Sequence, residues 1–191
     1  MAALSREKLD QMGFLSLGED VMISELASFH GAARIKIGNN VRIDDFCVLS
    51  AGSGGITVGD HVHVAVYSSL IGTGSISVGN FCNISSRVAI YSSSDDYSGT
   101  YMMNPTVPAQ YTGVTHADVI LHQHVIVGCG SVILPGVTLD DGVAIGACSL
   151  VTRHCEAYGI YAGVPARRIK ERKRDLLGLA RDLLLTKSGP V

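Results

Sequence analysis

The sequence predicts an all-β chain wound as a three-sided parallel β-helix, and three observations carry that prediction. Aliphatic residues return at every sixth position, as Ile37, Ile43 and Leu49, then Val58, Val64 and Leu70, then Val78, Ile84 and Ile90. Four residues after most of them stands a second small or aliphatic side chain, among them Val41, Cys47, Val62, Ser68, Cys82 and Val88. Glycine directly follows the aliphatic at Gly38, Gly59, Gly79, Gly128 and Gly146. A beat of six fits neither the helical period nor the alternation of a flat strand. It suits a short strand, a corner and another short strand, with both repeating residues pointing inward and glycine relieving the corner. Three such sides close a coil of about 18 residues, and coils stack at about 4.8 Å through strand pairing. A β-sandwich would show variable spacing and period-two alternation, and neither is present.

The elements follow in order. Residues 1–14 predict a short helix with Ser5 as its N-cap. Leu17, Ile23 and Phe29 start the beat, and the early coils carry extra residues at equivalent places, before Gly38, Gly59 and Gly79, which predicts one bulged edge. Residues 91–118 break the pattern with Asp95-Asp96-Tyr97-Ser98-Gly99, Asn104-Pro105 and Val107-Pro108. An insertion of that length in a narrow solenoid points to function. The beat resumes at Leu121, Val127, Ile133, Leu139, Ile145 and Val151. The β-helix domain is thus assigned residues 1–165, and a helical tail residues 166–191. In that tail, 166–186 reads as a basic, then apolar amphipathic helix whose stripe caps the prism or a neighbouring subunit; adsorption to a membrane surface is the alternative.

Composition narrows the function. With 191 residues, a net charge of −2 and 17% charged residues, the chain offers no basic face for nucleic acid. The N-terminus lacks a signal peptide's apolar stretch. The weakly charged run from Val119 to Leu139 is interrupted by Gly128, Gly130, Pro135 and Gly136, so no transmembrane segment is expected. Five cysteines without a CxxC pair predict reduced, buried thiols in a cytoplasmic protein.

The late part of the chain carries a specific resemblance. Val127-Gly128-Cys129-Gly130-Ser131-Val132-Ile133-Leu134-Pro135-Gly136-Val137-Thr138 leads to Ile145-Gly146-Ala147-Cys148-Ser149-Leu150-Val151-Thr152-Arg153 and ends on Ala162-Gly163-Val164-Pro165-Ala166-Arg167. This resembles the hexapeptide-repeat acyltransferases, in particular the galactoside, maltose and polysaccharide-sugar acetyltransferase branch. The resemblance implies left-handed coils, a homotrimer with active sites between neighbours, acetyl-CoA as co-substrate without a metal, and a sugar or nucleotide-linked sugar acceptor in surface-polysaccharide synthesis. It further implies that Cys129 and Ala147 line the pantetheine arm and that Thr152 and Arg153 stand near the nucleotide end. Arg167 and Lys170 are matched there to the coenzyme phosphates, a role that guanidinium and ammonium groups suit.

Members of that branch carry a catalytic histidine just past the interrupted coil, and in phase that position is Asp95 here. A carboxylate with an ordinary pKa of about 3.9 is a poor base for a hydroxyl, but repulsion from the adjacent Asp96 would raise it. An amine acceptor needs less help, because it is already nucleophilic. His63 is the other candidate base, sharing its phase with Asn83 and with Ile126, which stands at the branch's groove-side tryptophan; His116, His122 and His124 rank below it. Two rivals are a metalloenzyme like the gamma-class carbonic anhydrases, whose two-histidine spacing is missing here, and a non-catalytic trimeric scaffold.

Overall fold

The computed structural model describes residues 2–187; Met1 and 188–191, the ends of the two terminal segments assigned above, lie outside the described residues. The beat residues do face inward. All of them from Ile37 to Val151, and the second set from Val41 to Ser149, are at most 3% exposed. They form one continuous apolar core.

The three sides are three sheets of short parallel strands. The first wall stacks Ser16–Leu17, Ile35–Ile37, Ile56–Val58, Ile76–Val78, Val119–Leu121 and Thr138–Leu139. The second stacks Met22–Ile23, Arg42–Ile43, His63–Val64, Asn83–Ile84, Ile126–Val127, Ala144–Ile145 and Gly159–Ala162. The third stacks Ser28–His30, Val48–Ala51, Ser69–Gly72, Ala89–Tyr91, Val132–Ile133 and Leu150–Val151. Register is in phase throughout: Asn83 sits between His63 and Ile126, and Leu121 between Val78 and Leu139.

Between the second and third walls, the residue two before each third-wall strand after the first turns through a left-handed conformation, at Phe46, Tyr67, Arg87, Gly130 and Cys148. Buried serines close the inner side of this corner. Ser68 Oγ donates to the Ser85 carbonyl at 2.8 Å, and Ser131 and Ser149 donate to the Gly146 carbonyl at 3.0 and 2.7 Å. Among the described residues no buried side-chain polar atom lacks a partner, as low-dielectric burial demands.

Helix α1 spans Arg6–Gln11, and Ser5 caps it by accepting from the Lys8 amide at 3.3 Å. The tail departs from the expected helix over 166–186. Arg167–Glu171 instead forms a strand antiparallel to Gly159–Ala162, and helix α2 occupies only Leu176–Lys187. The physical reason is the open edge of the second wall, whose unpaired amides and carbonyls accept a strand. Arg172 then pins the tail, donating from Nη1 to the carbonyls of His124 and Gly142 at 2.8 and 2.9 Å. Buried thiols hold for Cys47, Cys82 and Cys155 only; Cys129 and Cys148 are exposed, because corner positions face outward. No helix among the described residues is long and apolar enough to cross a membrane.

Candidate active site

The insertion folds back on the prism. Ser93–Ser94 pairs antiparallel with Thr115–His116, a two-stranded ribbon that returns the chain to the first wall. Beside it opens a cleft of about 1120 Å³ whose rim includes His30, Arg34, Thr73, Ser93, Asp95 and His116. Ser93 Oγ accepts from the Thr73 amide at 2.7 Å and lies 2.8 Å from His116 Nδ1, which ties the ribbon to the third wall. Arg34 is held by the carbonyls of Ala51 and Gly52, each at 2.7 Å from a guanidinium nitrogen.

Asp95 is exposed on this rim and also borders a second depression, of about 370 Å³, walled by Tyr91, Tyr97, Val132, Leu134 and Pro135. It therefore stands between the insertion's cleft and the late coils. Asp96 does not partner it. Its carboxylate accepts from the Ser98 and Gly99 amides at 3.1 and 3.0 Å, from the Tyr101 amide at 3.0 Å and from Ser98 Oγ at 2.8 Å. These bonds, the Tyr101 amide foremost, pull its pKa down to about 2. Its oxygens are committed to building a turn, not to a contact with Asp95.

His63 belongs to a different surface. It faces outward from the second wall, half-buried, with Nε2 at 2.8 Å from Asp44 Oδ2 and Nδ1 at 3.2 Å from Asn83 Oδ1. Asp44 also accepts from Arg42 Nε at 2.7 Å. Burial pushes the Asp44 carboxyl up, but the hydrogen bonds from Arg42 and His63 outweigh it and hold the group below the usual range. Asn83 Nδ2 in turn donates to Ser85 Oγ at 3.3 Å. His63 lines a shallow depression with Asn40, Arg42, Phe81 and Asn83, without Asp95. Sequence reasoning aligned Asn83 with His63 without giving it a role, and missed Asp44 and Ser85. Their signal was available, since they flank the inward Ile43 and Ile84 on the outward side of the same wall.

The coenzyme candidates divide in two. Thr152, Arg153 and Arg167 share one small pocket at the end of the last coil, joined by His154 and Arg168. Lys170 stands apart, paired opposite Ile160 in the antiparallel strand. Cys129 and Ala147 occupy the corner between the second and third walls, where the Cys148 amide donates to the Cys129 carbonyl at 2.8 Å. Ser85 and Ser86 lie directly beneath: the Ser85 amide donates to the Val127 carbonyl and the Gly130 amide to the Ser86 carbonyl, each at 3.0 Å. Burial pushes the Cys82 and Cys155 thiols up to about 12 and about 11, which removes them as nucleophiles. Among the described residues no three His, Cys, Asp or Glu side chains converge as a metal site.

A coiled prism with a cleft-forming insertion and a cationic terminal pocket suits a coenzyme A-dependent acyltransferase, and similarity to known proteins establishes that class. The chain belongs to the hexapeptide-repeat transferase family: residues 118–153 match bacterial transferase hexapeptide (six repeats), and a full-length relative supports this. That relative is dTDP-4-amino-4,6-dideoxy-D-glucose acyltransferase of Escherichia coli, 55% identical over 179 residues that cover 94% of this chain and 93% of the relative. AntD, an N-acyltransferase from Bacillus cereus solved with dTDP and 3-hydroxybutyryl-CoA, is 45% identical, with a TM-score of 0.94 over 99% of this chain and 100% of its own. AntD has also been solved as variants of one serine, with dTDP-4-amino-4,6-dideoxyglucose and coenzyme A, and of an aspartate ten residues further on, with dTDP and coenzyme A. The present chain is an acyltransferase that uses an acyl-CoA, and these relatives set aside both the metalloenzyme and the scaffold.

Proposed function

We propose that the enzyme transfers an acetyl group from acetyl-CoA to the amino group of a nucleotide-linked amino sugar, with a dTDP-4-amino-4,6-dideoxyhexose as the first acceptor to test. The observation that carries this is Asp95, which borders both the insertion's cleft and the depression walled by Val132 and Leu134. An acceptor held in the cleft meets a donor lying along the late coils at that carboxylate. The amine attacks the thioester carbonyl, the C–N bond forms and the C–S bond breaks. Asp95 accepts the proton that the nitrogen sheds, and the coenzyme leaves as its thiol once that proton is returned. A ternary complex of this kind needs no covalent enzyme intermediate, because positioning supplies much of the rate.

The AntD variants support the assignment. Their serine-to-aspartate spacing of ten is met here by Ser85 with Asp95 and by Ser86 with Asp96. The commitment of Asp96 to its own turn favours the first pair. Cys129, Ala147, Thr152, Arg153 and Arg167 are assigned to the coenzyme, Lys170 to its outer edge, and His63 to a supporting rather than a basic role. Because His63 and Asp95 face different depressions, the working form is proposed as a homotrimer in which neighbours bring the two surfaces together, acting in the cytoplasm to supply surface-polysaccharide synthesis.

Purified protein assayed for thiol release with acetyl-CoA or 3-hydroxybutyryl-CoA should acylate the dTDP-linked amino sugar and leave simple galactosides untouched. Acylation of amine-free sugars alone overturns the acceptor assignment.

A further inference from the structure

The outward face of the second wall carries a continuous polar chain that ends beside the late-coil corner. Arg42 Nε donates to Asp44 Oδ1, Asp44 Oδ2 meets His63 Nε2, His63 Nδ1 meets Asn83 Oδ1, and Asn83 Nδ2 donates to Ser85 Oγ. Ser85 is hydrogen-bonded through its amide to the coil that holds Gly128 and Cys129. We propose that Asp44, His63 and Asn83 are positioning residues that act as a relay, setting through the side-chain amide of Asn83 the direction in which Ser85 points its hydroxyl hydrogen. The inference deepens the proposed function and rests on Ser85 bordering the acyl-transfer groove.

Hydrogen-bond bookkeeping makes the relay two-state. With Asn83 Oδ1 turned to the ring, both ring nitrogens face oxygens, and the first state of the proposed relay is the one in which both donate, the imidazolium. Asn83 then turns its NH₂ toward Ser85 Oγ, which accepts, and the serine O–H is left to donate into the groove, as a developing oxyanion requires. When His63 loses the Nδ1 proton to solvent, it keeps Nε2–H on Asp44 and Nδ1 becomes an acceptor. The Asn83 amide must rotate to offer its NH₂ to the ring, its oxygen now faces Ser85, and the serine hydrogen is spent on that oxygen. One protonation event on the wall thus redirects a hydroxyl at the corner.

The charged and titratable groups around the ring are few. From the coil below come Arg42 and Asp44, while the neighbouring Asp45 accepts from Ser24 Oγ; from the coil above, Asn83 and Ser85 are uncharged and the Cys82 thiol is turned inward. On its own coil, His61 is stacked on Phe81. Asp44 is the one carboxylate in hydrogen-bond contact with the ring among the described residues.

The test pairs nuclear magnetic resonance with kinetics. In the wild-type protein, the Asn83 side-chain NH₂ resonances should titrate with the same midpoint as the His63 ring. Asp44→Asn should move that midpoint down by about one pH unit, and with it the alkaline limb of kcat, leaving KM for acetyl-CoA unchanged. In a Ser85→Ala background the displacement of the limb should vanish, and the losses from His63→Gln and Ser85→Ala should fail to multiply. Should Asp44→Asn not fold, Asn83→Ala interrupts the chain one step later and must erase the same limb. An Asn83 amide that ignores the His63 titration overturns the relay with or without activity, as do losses that multiply in full. A wild type that acylates no amino sugar yet shows the coupled titration overturns the function and leaves the relay standing.

Discussion

The early and late coils treat the same corner of the prism in opposite ways. At the left-handed position between the second and third walls the early coils place Phe46, Tyr67 and Arg87, with the Phe46 and Tyr67 rings stacked at 5.0 Å and Arg87 lying 5.5 Å over Tyr67. The late coils place Gly130 and Cys148 there. Backbone geometry is therefore constant while the side chains are stripped away. The contrast fits the division of labour proposed above, in which late coils offer bare backbone to an extended pantetheine arm and the insertion supplies the side chains that activate the acceptor.

The largest effect expected from breaking this division falls on the decorated half. Asp95→Asn should lower kcat by about a hundredfold or more, while KM for acetyl-CoA in steady-state kinetics stays within about twofold. Decorating the stripped half comes next. Gly130 has φ +69 and an added Cβ would meet only Cys148 Sγ, at 3.3 Å, so Gly130→Tyr is strained by about 1–2 kcal/mol but not excluded. It should raise KM for acetyl-CoA about tenfold and leave KM for the acceptor alone; equal rises in both would dissolve the contrast. Stripping the decorated half is milder. Tyr67→Ala should cost about 1 kcal/mol in chemical denaturation, through the lost ring stack and cation contact, with KM for acetyl-CoA unchanged.

The smallest effect is in pH. The Asp96 pKa lies near 2 in the folded loop, below its unfolded value of about 3.9, so its contribution is complete above the unfolded value and is lost as pH falls toward 2. Amide exchange at Ser98, Gly99 and Tyr101 should be flat from about pH 7 to 5, once corrected for intrinsic rates, and should rise below about pH 3. Protection already lost at pH 5 would mean that Asp96 is an ordinary carboxylate, free to act beside Asp95.

Much of this was legible before any coordinates. The beat located inward residues such as Ile43 and Val127, because only one side-chain direction per hexapeptide can enter so narrow a core. The phase count that brought His63 into line with Asn83 and Ile126 follows from stacking in register. The tail was misread from its composition: Arg167–Glu171 has helical-looking charge spacing, yet a free sheet edge satisfies its backbone more completely than an isolated helical turn. The surroundings of Asp96 were hidden for a related reason, since adjacency in sequence suggests repulsion while the turn that follows it supplies amide donors.

By itself the sequence determined the coil, its phase and the point where the insertion leaves it, because a six-residue repeat in a one-dimensional stack converts position directly into direction. Only the tertiary structure decided which polar groups meet: that Asp96 closes a turn, that Asp44 grips His63, and that Ser85 ends a chain begun at Arg42. Those contacts join residues from successive coils, as Asp44 and His63, or neighbours within one turn, as Asp96 and Tyr101; they depend on rotamers and local turns, and no periodicity in the sequence records them.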